Sequence, residues 1–161
     1  MTGNGFGGDR ENWHNVGVRR TKTTKQQTEN TPEIRTPREL PPVFTRVLQQ
    51  LTQGYAGAEA AAMIGLDGVV VESAGTCRHG NMETLAAEAA SLMYNALKTS
   101  GDTGLGDVRE LIFQADNATI CTAVLGAEYF LMLVLAADCN FGRARYEIRK
   151  SQLTLEEEFV A

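Results

Sequence analysis

The side chains best suited to metal or nucleophilic chemistry in this sequence are two histidines and three cysteines, and they are scattered. Neither His14 nor His79 has partners at the spacing of a metal-ligand motif, so no metal site is expected. Cys77, Cys121 and Cys139 are odd in number and far apart. They read as small hydrophobes, held as reduced thiols in a cytosolic protein. A serine-nucleophile elbow, a phosphate-binding Gly-Lys loop and a cysteine beside a general base are all missing from the sequence. Gly3, Gly5 and Gly8 do have the spacing of a dinucleotide fingerprint, but no strand precedes them and no helix follows, so local composition explains them better. Glu72, Asp107 and Asp116 lie at strand ends, where carboxylates are ordinarily solvated. The expectation is a protein with no cofactor and no catalysis of its own, whose work is binding other proteins.

Charge narrows the partners. The net charge is −5, yet the first forty residues hold seven Lys/Arg against five Asp/Glu, leaving eight against fifteen for the remainder. A general nucleic-acid binder wants a basic face to displace counterions from phosphates, and an acidic body lacks it. The start is Gly-rich and polar without the apolar segment of a secretory signal, and the longest apolar run, Tyr129 to Ala137, is too short to span a bilayer. Membrane insertion is not expected, and the predicted location is the cytoplasm.

Residues 1–40 are read as a disordered tail, because their few large apolar side chains cannot offset the entropy of ordering the segment. Within it, Trp13 is a candidate docking anchor, and Arg19, Arg20, Lys22 and Lys25 form a small basic cluster read as solvated. Thr36-Pro37 and Leu40-Pro41-Pro42 mark the boundary of a single domain over 41–161. Val43, Phe44, Val47, Leu48 and Leu51 then recur at helical spacing, predicting a helix that ends near Gly54. Ala58 to Ile64 and Val69 to Val71 read as a hairpin around Asp67-Gly68, followed by a loop from Ser73 to Gly80.

Asn81 is the expected cap of a second helix running from Met82 to about Thr99, ahead of a loop from Gly101 to Gly106. This helix is rich in small residues and has little polar circumference, so it needs the sheet on one side and a second partner on the other. A symmetry-related copy of itself is a natural one. Three strand-like runs follow as a meander: Val108 to Ala115, Thr119 to Leu125 and Tyr129 to Ala136. The first mixes in charge, as an edge strand would; the last does not alternate, so both its faces must be covered and helices are expected on both sides of the sheet. A closing helix starts near Phe141, with Phe141, Ala144, Arg145, Ile148, Gln152 and Leu155 near one stripe.

The order of elements is thus α-β-β-α-β-β-β-α, and in three segments the chain resembles the Roadblock/LC7 domain family. They are the hairpin Gly57-Ala58-Glu59-Ala60-Ala61-Ala62-Met63-Ile64-Gly65-Leu66-Asp67-Gly68-Val69-Val70-Val71, the Ala-rich helix around Leu85 to Leu92, and Ala137-Asp138-Cys139-Asn140-Phe141-Gly142-Arg143-Ala144-Arg145 leading into the closing helix. The likeness covers about Pro42 to Leu155. It implies an α/β sandwich with a five-stranded, mainly antiparallel sheet between helices, paired through the second helix and third strand into a continuous ten-stranded sheet. Members of the family serve as platforms for small Ras-like GTPases or as adaptor subunits of motor and signalling assemblies, and the bacterial, MglB-like members regulate a polarity GTPase.

The expected dimer and partner interface is Met82, Leu85, Ala86, Ala89, Ala90, Met93, Arg109, Leu111 and Phe113. The expected function is a homodimeric, non-enzymatic regulator of a small GTPase, with a dimeric scaffold or adaptor as the alternative. Arg78 and Arg109 are candidates for an arginine lent to a GTPase transition state, but neither is assigned that role.

Overall fold

The structure, a computed structural model, describes residues 41–160. The expectations placed on residues 1–40, including the glycine triad, Trp13, His14 and the basic cluster, lie outside the described residues.

The eight elements are α1 (Pro42–Gln53), β1 (Ala58–Gly65), β2 (Val70–Gly75), α2 (Met82–Thr103), β3 (Glu110–Gln114), β4 (Ala118–Leu125), β5 (Tyr129–Ala136) and α3 (Phe141–Val160). The strands form one five-stranded sheet in the order β2-β1-β5-β4-β3. Every neighbouring pair is antiparallel. β5 sits at the centre, which is why its sequence shows no alternation: Leu131, Leu133 and Leu135 point into one core, and Phe130, Met132 and Val134 into the other.

The two cores lie on opposite faces of the sheet. On one, α1 contributes Phe44, Val47, Leu48 and Leu51, and α3 contributes Ala144, Ile148 and Leu155. Each of the larger side chains, fully removed from water, contributes roughly 1.5–3 kcal/mol. On the other face α2 stands alone, seating Ala86, Ala89, Ala90 and Met93 against Ala60, Ala62 and Ile64 of β1 and the inward side chains of β5. Alanine on both sides of this contact lets helix and sheet approach closely. Gly68 permits the same closeness at the hairpin turn, where its φ is +86° and a Cβ would lie 3.2 Å from Cα of Ala87.

Four elements depart from expectation. β3 spans only Glu110–Gln114 of the expected Val108 to Ala115 run. β2 continues through Ser73, Ala74 and Gly75, a stretch read as loop, because Ala62, Ala61 and Ala60 of β1 supply its pairing partners. α2 runs past Thr99 to Thr103, because the residue that stops it is Gly104 in the left-handed conformation at φ 69°, and not Gly101. Arg145 does not join the buried stripe of α3; it is exposed and reaches across to Glu110 on β3. The predicted cap is present, with Asn81 Oδ1 accepting from Thr84 N–H at 3.0 Å.

Candidate protein-docking surface

Unequal helical cover leaves a groove on the α2 side of the sheet. α2 lies over the β1 and β2 half, while among the described residues no helix lies above β3 and the neighbouring part of β4 on this side. The groove has a volume of about 290 Å³ and is lined by Leu85, Glu88, Ala89 and Leu92 of α2, Leu111 and Phe113 of β3, and Ile120 and Thr122 of β4. Only Glu88 brings a charge. Two large apolar side chains of its lining stand out to solvent: Phe113 is 51% exposed and Leu92 43%. A contiguous apolar surface of this kind marks an interaction site.

The sheet edge beside the groove is open. Val124 N–H donates to Arg109 O and Ala115 N–H to Ala118 O, so the residues flanking β3 bond inward to β4. The alternation of an antiparallel ladder then turns the backbone groups of Glu110, Ile112 and Gln114 outward, where no strand follows among the described residues. The edge is stiffened from within, because the Thr122 hydroxyl accepts from Leu111 N–H at 3.1 Å and donates to Leu111 O at 2.9 Å. From the opposite face, Arg145 holds Glu110 through both carboxylate oxygens, and that guanidinium keeps the Glu110 carboxyl below its ordinary value.

Of the nine residues expected at an interface, Leu85, Ala89, Leu111 and Phe113 come together in the groove. Ala86, Ala90 and Met93 face the chain's own sheet and are buried there, with Met82 half-buried against the same core. Arg109 lies apart, walling a hollow with Glu110, Arg149, Gln152 and Leu153 near α3. Leu92, Ile120 and Thr122 also line the groove and were not among the expected residues, although the apolar character of Leu92 is the signal that marks it.

Polar chemistry elsewhere is sparse. The side chain of Glu59 is 7% exposed, with Arg78 at 3.8 Å and His79 at 3.7 Å, which pins the segment after β2. Tyr55 donates to Asn140 O at 3.0 Å, and its phenol is pushed up, chiefly by burial and then by a side-chain hydrogen bond with Cys139. Burial pushes the Cys121 thiol up to about 11, so it stays protonated at neutral pH. Among the described residues no group of three His, Cys, Asp or Glu side chains is placed to hold a metal ion, and no helix is long and apolar enough to cross a membrane.

A single antiparallel sheet between a two-helix layer and a one-helix layer, strung in this order, defines an α/β sandwich of the Roadblock/LC7 type. Residues 45–136 match the Roadblock/LC7 domain. The chain belongs to that family. Similar solved structures include MglB of Myxococcus xanthus, at 18% identity and a TM-score of 0.67, the match covering 73% of this chain and 88% of that one. The gliding protein mglB of Thermus thermophilus is 17% identical with a TM-score of 0.64, over 72% of this chain and 87% of that one. MglC of Myxococcus xanthus is 25% identical with a TM-score of 0.53, over 72% of this chain and 98% of that one. No curated protein matches the sequence significantly.

Proposed function

We propose that this protein is a cytoplasmic homodimer that serves as a non-enzymatic regulatory platform for a small Ras-like GTPase. The observation that carries the proposal is the half-covered sheet face beside an open strand edge. A second copy related by a two-fold axis would lay its own α2 over the bare β3–β4 half and continue the sheet through β3. Leu85, Ala89, Leu92, Leu111 and Phe113 form the contact, and the outer faces of the paired α2 helices are presented to the GTPase. Membership of a family whose proteins are generally regulators or adaptors, and likeness to MglB structures, support a role of that kind. Residues 1–40 are a tail outside the folded domain in this account.

The second reading, an adaptor without nucleotide sensing, uses the same surface and differs in what it distinguishes. The test pairs light scattering with capture of the Ras-like GTPases of the source organism, each loaded with GDP or a non-hydrolysable GTP analogue. A dimer that binds the triphosphate form on the order of tenfold or more tightly supports the regulator. Equal binding of both forms supports the adaptor. A wild-type monomer at micromolar concentration, or a Phe113→Arg variant that dimerises as tightly as wild type, would sink the placement of the interface.

A further inference from the structure

The charges on α3 run against its own dipole. Its first turn has no acidic residue and its last turn no basic one; in the front half Arg143, Arg145, Arg149 and Lys150 stand against Glu147 alone, and Glu156, Glu157 and Glu158 crowd the end. A solitary helix favours the opposite arrangement. Arg143 lies over the Tyr55 ring at 5.9 Å, and Arg145 is held by Glu110. Among the described residues, Arg149, Lys150, Glu157 and Glu158 take part in no ion pair. Arg149, Glu157 and Glu158 have no opposite charge three or four positions away, and Lys150 has only Glu147 three residues before it; Arg149 to Glu156 and Lys150 to Glu157 are seven residues apart, about 10 Å along the axis, beyond the reach of pairing within the helix. Seven residues is nearly two full turns, so each cation lies on the same side of the helix as its distant carboxylate.

Leu153 sits midway between the two sets and is 64% exposed, as is Tyr146 seven residues before it. Leu153 also borders the hollow of about 220 Å³ formed with Arg109, Glu110, Arg149 and Gln152, a recess able to receive a protruding side chain. We propose that the outer face of α3 is a second self-complementary docking surface, on which α3 of another copy lies antiparallel with Leu153 beside the two-fold axis. In that register Arg149 faces the partner's Glu156, Lys150 faces the partner's Glu157, and the two Leu153 side chains meet at the centre. The helix dipoles are opposed as well. The surface lies on the opposite face of the sheet from the α2 groove, so a chain using both would assemble beyond a dimer.

The full-length chain carrying Phe113→Arg isolates this contact from the α2–β3 interface. In sedimentation equilibrium it should self-associate with a Kd on the order of 10–100 µM, weakening as salt is raised. On that background Arg149→Glu/Lys150→Glu and Glu156→Lys/Glu157→Lys should each be monomeric alone, because like charges then meet across the pair. Mixed together, they should associate, since every facing pair is again opposite in sign. A Phe113→Arg chain that stays monomeric at about 200 µM, a mixture that stays monomeric, or single-sign variants that associate like their parent would overturn the proposal. The α2–β3 dimer is judged separately, because wild type and the α3 variants carrying native Phe113 should still form it.

Discussion

Gly57 is held at φ +97°, and a methyl group there would stand 2.7 Å from Cβ of Cys139. Its carbonyl meanwhile accepts from Ala136 N–H at 2.8 Å, so the backbone is not free to swing away. Gly57→Ala should therefore destabilise the fold by roughly 2–4 kcal/mol, backbone strain and overpacking together. Gly80 also has positive φ, +111°, but open space around it, so Gly80→Ala should cost only about 1 kcal/mol. Urea titration of the two variants separates clash from strain, and equal losses would show that Cys139 does not press on the site. Single residues of the docking surface were legible to different degrees. Leu111 and Phe113 were readable because a charged, edge-like strand leaves its apolar side chains conspicuous. Ala86, Ala90 and Met93 were legible as apolar helix positions but not as belonging to the chain's own core. A helix without a polar stripe offers nothing to fix its rotation, and so Leu92, which borders the groove, was not singled out.

Between elements, the Glu110–Arg145 pair joins β3 to α3 across the edge of the sheet. The folded state holds the Glu110 carboxyl below its ordinary value of 4.5, chiefly through the hydrogen bonds from Arg145. A depressed carboxyl contributes stability above its unfolded value and loses it as pH falls through the folded one. Glu110→Gln should accordingly lower the melting temperature at pH 7, and the gap to wild type should close progressively below about pH 4.5. Thermal melts across that range check it, and a gap that persists in acid would mean that Glu110 acts through packing. At this scale the sequence was most readable where one interaction dominates: β5 has the expected bounds because both its faces are buried. It was least readable where tertiary pairing or a distant cap decides. Ser73-Ala74-Gly75 has weak strand propensity and becomes strand only because β1 lies alongside it. The polar end of α2 is helical up to the residue that can adopt a left-handed turn.

At the scale of the molecule, two helices cover one face of the sheet and a single helix covers the other. If a copy of the chain completes the second face, as proposed, stability is tied to concentration. Raising the protein a hundredfold should raise the melting temperature by several degrees, as expected when association contributes roughly 1.4 kcal/mol per tenfold. Phe113→Arg should flatten that dependence substantially, and a wild-type melting temperature indifferent to concentration would argue against the α2–β3 dimer. The overall architecture was legible because the order of elements, the double-sided β5 and the open third strand each restrict the topology; the second surface on α3 was not, because seven-residue charge spacing gains meaning only once the helix's buried side is known. The open edge of β3 also bears on what happens to a protomer before it finds its mate. Leu111-Ile112-Phe113 is an uncharged stretch of strand with no proline. Two-fold pairing seals it, whereas head-to-tail addition never would. In the proposed dimer, prompt and symmetrical pairing would also protect this chain against fibres, and Arg109 and Glu110 put charge at the head of that stretch.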